Sequence, residues 1–200
     1  MNIIMIGCGK VGLTLVKQLL AENHTVSVID NDENVVKEVN NTLDVICYCG
    51  NGASFEVQKE AGVETADLVI AVLGEGVQQT GESRSRTSLD LLGRQQMLLE
   101  RLYATGRPVV LVLVNGQPLT VNWAARNVPA VLETWFPGVR GGVTVAKTLF
   151  GELNPNGRLP VTFPKTIGQI ELNFPFKKGS HGTQPDFGPN GAGHTRVDGV

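Results

Sequence analysis

Residues 2–30 read NIIMIGCGKVGLTLVKQLLAENHTVSVID and place a glycine motif between two short apolar runs. Such runs are typical of buried parallel strands. Gly7, Gly9 and Gly12 have the G-x-G-x-x-G spacing that provides a tight turn, a close approach for a pyrophosphate and close packing of the next helix. Asp30 ends the second run, about twenty residues later, where a carboxylate can bind a ribose hydroxyl. The stretch predicts the first strand–helix–strand unit of a dinucleotide-binding fold.

Apolar runs and helical patterns continue to alternate along the chain. Further strands are predicted at residues 43–48, 68–73, 108–114 and 130–135, and an irregular one at 157–163. The segments between them carry helix caps and apolar stripes. We therefore predict an α/β fold with one doubly wound, Rossmann-like or flavodoxin-like parallel sheet. Its expected strand order is 3-2-1-4-5-6, with right-handed crossovers and helices on both faces.

Three helices are predicted between the later strands. The first spans residues 90–105, with Asp90 as its cap. The second spans 118–126, with Pro118 in its first turn, where a missing backbone N–H costs nothing. The third lies near residues 141–149.

The composition argues against several classes of partner. The formal net charge is −2, with 17 Lys+Arg and 19 Asp+Glu, which does not favour binding to nucleic acid. No apolar run approaches the ~20 residues of a membrane span, so no membrane partner is predicted. Because the sequence begins directly with a strand pattern, we expect no signal peptide and a cytoplasmic location. A homodimer remains open.

The three cysteines are predicted to be reduced core residues. Cys8, Cys47 and Cys49 are odd in number and have no partners at metal-ligand spacing. No metal site is therefore predicted. A free thiol of this kind behaves as a small apolar side chain.

The two halves of the chain differ in composition. Residues 1–73 contain 4 Lys and 10 Asp+Glu, a net charge of −6, and residues 74–200 have a net charge of +4. We predict one α/β sandwich over residues 1–172, with a seam near 72–75 between a first half and a second half, 74–172. The glycine- and proline-rich tail, 173–200, is expected to pack on the surface.

The first half resembles the nucleotide-binding domain of Trk-type potassium-uptake regulators, the regulator-of-conductance domain, over about residues 1–72. The resemblance rests on MIGCGKVG, SVIDND, CGNGAS and EAGVETADLVIAV. It implies binding of NAD(H) or of an adenine nucleotide such as ADP or ATP. It also implies which residues bind each part of the nucleotide: Gly7, Gly9, Lys10, Val11 and Gly12 the pyrophosphate, Asp30 the ribose, and Asn51, Gly52 and Ala53 the adenine side.

The second half resembles the C-terminal α/β domain of family three glycoside hydrolases, the β-glucosidase group, over about residues 73–200. The resemblance rests on GESRSRTSLDLLGRQ, ATGRPVVLVLVNGQPL, AVLETWFPGVRGG and LFGELNPNGRLPVTFP. It implies a sugar held between a barrel domain, which supplies an aspartate nucleophile, and this domain, whose glutamate often acts as general acid. Glu82 matches the neighbourhood of that glutamate, and we expect it to be a vestigial general-acid candidate only.

The acidic residues of the second half do not by themselves predict catalysis. Glu75 and Glu82 lie in one polar segment, residues 74–87. Retaining hydrolysis of a glycoside needs two carboxyl groups roughly 5–5.5 Å apart across the sugar, one of them a nucleophile. We interpret both glutamates as loop charges that pair with Arg84 or Arg86 or lie in solvent. We therefore expect no catalytic residues and no enzyme.

Three functional hypotheses remain. The favoured one is an engineered chimera of two α/β folds, with no selected activity, no required cofactor and residual affinity for a small nucleotide, NAD(H), ADP or ATP. The first alternative is a functional nucleotide-binding regulatory module. The second is a fragment of a glycoside hydrolase.

Overall fold

The fold is given by a computed structural model that describes residues 1–76 and 78–169 of the 200-residue chain. The strands are β1 (Asn2–Ile6), β2 (Thr25–Asp30), β3 (Ile46–Cys49), β4 (Leu68–Gly74), β5 (Val109–Val114) and β6 (Ala130–Glu133). The helices are α1 (Lys10–Ala21), α2 (Glu33–Thr42), α3 (Phe55–Glu60), α4 (Gln95–Ala104), α5 (Asn122–Asn127) and α6 (Gly141–Leu149). Short 3-10 helices span Val63–Thr65 and Ile167–Gln169. The predicted tail, 173–200, lies outside the described residues.

The six strands form one parallel sheet in the order β3-β2-β1-β4-β5-β6. The predicted α/β class and the strand order 3-2-1-4-5-6 are thus confirmed. The central strands have the continuous apolar sequences NIIMI, LVIAVLG and VVLVLV, because both faces of a doubly wound sheet are covered. β4 pairs with β5 from Val69 opposite Val109 to Gly74 opposite Val114, so the two sides of the predicted seam share one sheet.

Helices cover both faces of the sheet, as predicted. Leu15 and Leu19 of α1 pack on one face together with Val145 of α6, and α2 contributes to the same core. Leu99 and Leu102 of α4 pack on the other face, with α5 and the residues that follow α3. The residues of these two clusters are apolar, and burial of this kind contributes roughly 25 cal/mol per Å² of apolar surface.

Two helices begin later than predicted. α4 begins at Gln95, because the carboxylate of Asp90 accepts hydrogen bonds from the hydroxyl groups of Ser88 (2.8 Å) and Thr120 and does not cap a helix. α5 begins at Asn122 and not in the first turn after Pro118. Thr120 connects the two places, since its hydroxyl donates to the carboxylate of Asp90 and its N–H donates to the carbonyl oxygen of Leu89 (2.8 Å) instead of joining a helix.

The predicted edge strands also differ in extent. β3 begins at Ile46, and β6 ends at Glu133. Residues 157–163 form no strand. Each of these segments lies at or beyond an edge of the sheet, where a strand has one neighbour and the pairing ends early. Within the part of the chain that the structure describes, no helix has the length and apolar character needed to cross a membrane.

Candidate functional site

The carboxyl ends of the strands open onto two neighbouring cavities. One, of about 410 Å³, lies against the ends of β1 and β2 and the start of α4. The other, of about 790 Å³, lies between the glycine turn, the ends of β4 and β5, and residues 136–139. Gln95 lines both cavities. Ligands of doubly wound folds bind at this edge, at the point where the strand order reverses.

Two of the motif glycines are required by contacts inside the protein itself. Gly7 has φ of 84°, and a Cβ at this position would lie 2.4 Å from the carbonyl oxygen of Val72. A Cβ at Gly12 would lie 2.4 Å from the carbonyl oxygen of Gly7, so the close packing of α1 on the turn is as the motif predicts. Nothing lies within 4 Å of the corresponding position at Gly9, which faces the larger cavity together with Lys10 and Val11.

Of the other predicted nucleotide contacts, all but Ala53 line the smaller cavity. Gly7, Asp30, Asn51 and Gly52 all line it. Ala53 is buried and does not line it. The structure thus brings together most of the residues that the sequence pattern selects.

The polar side chains of this group are already engaged by the backbone. The carboxylate of Asp30 accepts hydrogen bonds from the N–H of Cys8 (2.6 Å) and of Asp32 (2.9 Å). The side-chain oxygen of Asn51 accepts one from the N–H of Ala53 (3.0 Å). These bonds hold the loops in place without a ligand.

Beyond β4, the carboxylate of Glu75, which was predicted to be a loop charge, is buried and connects three segments. The side chain of Glu75 is fully buried and forms an ion pair with Arg86, whose side chain is 15% exposed. Glu75 also accepts hydrogen bonds from the side chain of Gln117 (3.0 Å) and from the N–H of Gly116 (3.4 Å). The predicted pairing of a loop glutamate with Arg84 or Arg86 is therefore correct for Glu75 and Arg86, but the pair lies in the core. A glutamate directly after a buried strand was the available signal.

The side-chain amide of Gln95 forms two hydrogen bonds to the backbone of Gly74, the last residue of β4. Gln95 donates to the carbonyl oxygen of Gly74 (2.9 Å) and accepts from its N–H (2.7 Å), as a neighbouring strand would. Gly74 has φ of 133°, and a Cβ there would lie 2.1 Å from the carbonyl oxygen of Val114. Only glycine fits this position. Here the chain turns out of the sheet into the polar segment of residues 74–87, called the polar loop below.

The polar loop returns to the core after an exposed tip. Residues 81–85, which include Glu82, are exposed, and Ser83 has φ of 62°. Arg86 then donates to the carbonyl oxygen of Asp90 (3.2 Å). Hydrogen bonds from Thr120 and Ser88 hold the pKa of Asp90 below its ordinary value. Glu82 is thus presented to solvent on a loop whose two ends are fixed.

A second polar group is formed by Asn115, directly after β5, and the partly buried Glu133 at the end of β6. Asn115 is fully buried, and its amide donates to the carbonyl oxygen of Gln117 (2.8 Å). Glu133 accepts a hydrogen bond from the N–H of Trp135 (2.7 Å). Asn115 Oδ1 and Glu133 Oε2 have no partner among the described residues. Burial therefore raises the pKa of Glu133, and the hydrogen bonds to its carboxylate offset only part of that effect.

Because the pKa of Glu133 is raised, its carboxyl group should stabilise the folded state less as pH rises, which is the opposite of the usual behaviour of a carboxyl group. The folded state binds the proton of this carboxyl more tightly than the unfolded state, so its contribution to stability falls as pH rises above about 4.3. Glu133→Gln is expected to raise the denaturant midpoint at pH 7 and to change it less at pH 4. Glu60→Gln, at an exposed position, is the control and should behave alike at both pH values. If Glu133→Gln stabilised the protein less at pH 7 than at pH 4, the raised pKa of Glu133 would be refuted.

The cysteines show the predicted free state. Cys8, Cys47 and Cys49 are free thiols, and Cys8 is buried. Desolvation raises the pKa of Cys8 to about 12, so its thiol is neutral and unreactive at neutral pH. Cys49 is exposed, contrary to the predicted core position. Residues 1–76 and 78–169 contain no cluster of three His, Cys, Asp or Glu side chains suited to a metal ion.

Comparisons with known proteins point to one family over nearly the whole chain. The sequence model described as "Glycosyl hydrolase family 3 C-terminal domain" matches residues 4–194. A β-xylosidase of Formosa agariphila is 39% identical over 68% of this chain and 18% of its own length. A periplasmic β-glucosidase of Salmonella typhimurium is 45% identical over 54% of this chain and 14% of its own length.

Solved structures agree with the sequence comparisons. The β-glucosidase from Listeria innocua in complex with glucose matches 92% of this chain and 26% of its own chain, with 27% identity and a TM-score of 0.66. The same enzyme in complex with isofagomine matches 68% of this chain and 19% of its own, with 36% identity and a TM-score of 0.57.

These comparisons correct the functional predictions. The engineered, de novo chimera is wrong, because one natural family spans residues 4–194 and therefore both sides of the predicted seam. The interpretation as a nucleotide-binding regulatory module is wrong for the same reason. The prediction that the chain is no enzyme is also wrong, since the relatives are β-xylosidases and β-glucosidases. The change of composition near residue 73 was misread as a change of origin.

Proposed function

Since this chain belongs to the family of glycosyl hydrolase family 3 C-terminal domains, we propose that it forms the α/β half of a β-glycosidase active site. The substrates in view are β-D-glucosides and β-D-xylosides, after the names of the relatives. The chain spans less than a fifth of the length of the curated relatives it matches. The activity therefore depends on an assembled protein in which another domain supplies the nucleophile.

In this proposal Glu82 is the general acid. The observation that carries the assignment is its placement at the exposed tip of a loop whose ends are fixed by Gly74, Glu75 and Arg86. A carboxyl on a rigidly anchored but open loop can reach a sugar held by a second domain. The buried Glu75 cannot do so, because its carboxylate is fully occupied by Arg86, Gln117 and Gly116.

The proposed reaction uses Glu82 twice. Its carboxylic acid donates a proton to the glycosidic oxygen while a carboxylate of the second domain attacks the anomeric carbon and the bond to the leaving group breaks. The Glu82 carboxylate then accepts a proton from water, which attacks the covalent glycosyl intermediate and releases the sugar. The nucleophile carboxylate is regenerated in the second step.

Several earlier expectations remain predictions beside this function. The likeness of residues 1–72 to the Trk-type domain is an interpretation of sequence motifs alone. Three more statements are predictions too: affinity of the glycine turn for NAD(H), ADP or ATP, the lack of a required cofactor, and a homodimer. So are the cytoplasmic location, the absence of a nucleic acid or membrane partner, and the domain bounds 1–172 and 173–200.

The test is turnover by an assembled hybrid. The whole chain is fused to the barrel domain of the Salmonella relative in place of that protein's own α/β domain, and 4-nitrophenyl β-D-glucoside and β-D-xyloside are assayed. We expect turnover of at least one, unchanged in Glu60→Gln, an exposed glutamate at the end of α3 and outside the loop. A folded hybrid that binds the sugar but turns over neither glycoside would contradict the proposal.

A further inference from the structure

The loop that carries Glu82 has an unusual means of support. A surface loop of this length would ordinarily be held by backbone turns alone, and its tip would sample many conformations. Here a buried charge pair, Glu75 with Arg86, joins the residue that leaves β4 to the residue that ends the exposed tip. The pair therefore closes the loop at its base.

The base of the loop is cross-connected to the neighbouring β5–α5 segment. Glu75 extends the sheet by donating its N–H to the carbonyl oxygen of Val114 (2.8 Å). Its carboxylate accepts from Gly116 and Gln117, which follow β5. Its position is thus fixed by the backbone and by three side-chain interactions.

The C-terminal end of the loop is fixed in the same way. Arg86 bridges the Glu75 carboxylate and the carbonyl oxygen of Asp90. Asp90 is bonded to Thr120, and the N–H of Thr120 donates to the carbonyl oxygen of Leu89 (2.8 Å). Both ends of the loop are therefore tied to one segment, the residues between β5 and α5.

Energetic considerations favour a positioning role over a purely stabilising one. Taking both charges out of water costs about as much as their attraction returns, so a buried ion pair contributes little net stability compared with apolar residues of similar volume. What such a pair does supply is a defined geometry, because the planar guanidinium accepts only certain arrangements of its partners. A loop with a catalytic tip needs that definition more than it needs stability.

We propose that Glu75 and Arg86 are positioning residues that hold Glu82 at the distance from the glycosidic oxygen that proton transfer requires. This inference rests on the proposed function, in which Glu82 is the acid. Both side chains are buried in the ion pair, so the proposal assigns neither of them a contact with the sugar. Their effect should therefore be confined to the steps that need a proton from Glu82.

The variant that tests the inference removes both charges at once. Glu75→Met with Arg86→Met leaves no unpaired buried charge, so the fold should persist. In the hybrid enzyme we expect kcat on methyl β-D-glucoside to fall about 100-fold, the order of loss for a misplacement of about 1 Å. The 2,4-dinitrophenyl glucoside, whose leaving group needs no proton, should lose far less in its bond-breaking step, and azide should restore its turnover. Trypsin should also cleave faster after the exposed Arg84.

Arg86→Lys provides a second variant should the double substitution fail to fold. It keeps the charge but gives up the planar fork that joins Glu75 to Asp90. We expect a smaller loss with the same dependence on the leaving group. The matched control is Glu33→Met with Lys37→Met, which removes an exposed ion pair of 2.8 Å on α2 and should leave kinetics and cleavage unchanged.

The outcomes separate this inference from the function on which it rests. If Glu82→Gln shows the dependence on leaving group and azide but the Glu75 and Arg86 variants do not, the positioning role is wrong and the proposed acid stands. An equal loss on all glycosides without azide rescue would also overturn it, since the pair would then serve the fold alone. If Glu82→Gln retains full activity, both proposals fail together.

Discussion

Glu82→Gln is expected to lower kcat of the assembled glycosidase about 10²–10⁴-fold on a glycoside with a poor leaving group, the usual contribution of a general acid. An amide of the same shape cannot donate a proton to the glycosidic oxygen in an acid–base cycle. Hydrolysis of the methyl glucoside and of the 2,4-dinitrophenyl glucoside, measured side by side, gives the dependence on the leaving group. The methyl glucoside should suffer most.

The same variant should respond to azide. The second step needs a base to deprotonate water, whereas azide attacks the glycosyl intermediate without one, so a β-glucosyl azide should form. Glu60→Gln and Glu100→Gln, both exposed glutamates outside the loop, are the matched controls and should show neither effect. Equal losses in the controls would mean that the hybrid is generally damaged and that Glu82 has no special role.

Glu75→Ala should be among the most destabilising substitutions at a polar residue of this fold. It leaves the guanidinium of Arg86 buried without its counter-charge and leaves Gln117 and Gly116 without their acceptor. Breaking one side of a buried ion pair costs about 3–5 kcal/mol. Denaturant unfolding of the chain should show a loss of this size.

An exposed ion pair provides the comparison. Glu33 and Lys37 lie 2.8 Å apart on α2, with side chains 70% and 63% exposed. Glu33→Ala should cost no more than about 0.5 kcal/mol, because water screens such pairs. If Glu75→Ala cost as little, the buried geometry around Glu75 would be wrong.

The sheet was predictable because its signals are local and repeated. The runs that form β1, β4 and β5 are short, apolar on both faces and rich in Ile, Val and Leu, a pattern typical of buried parallel strands. The glycine turn indicated the first crossover, and the right-handed rule then limited the possible strand orders to a few, of which 3-2-1-4-5-6 is a common one. The physical requirements at Gly7 and Gly12 are steric, and the sequence motif encodes them directly.

The polar loop was not predictable because long-range contacts hold it. Arg86 bonds to Glu75 and Asp90, and Asp90 bonds to Thr120, which is 30 positions away. No local sequence pattern indicates such contacts. For this reason Asp90 was predicted to be a helix cap and Glu75 a loop charge. The glycine turn has the opposite property, because its sequence signal is local, and it was interpreted as a sign of nucleotide binding. Its glycines are needed for packing, and that need alone accounts for two of the three.

A crystal structure of the assembled glycosidase with a bound β-glycoside would give the positions of both carboxyl groups relative to the sugar. Retaining enzymes hold their two carboxyl groups roughly 5–5.5 Å apart across the sugar. We expect the carboxyl of Glu82 to lie at that separation from the nucleophile of the second domain and within hydrogen-bond distance of the glycosidic oxygen, with Glu75 still paired to Arg86. A sugar bound with a different carboxyl at the glycosidic oxygen, and Glu82 turned to solvent, would contradict the proposed function.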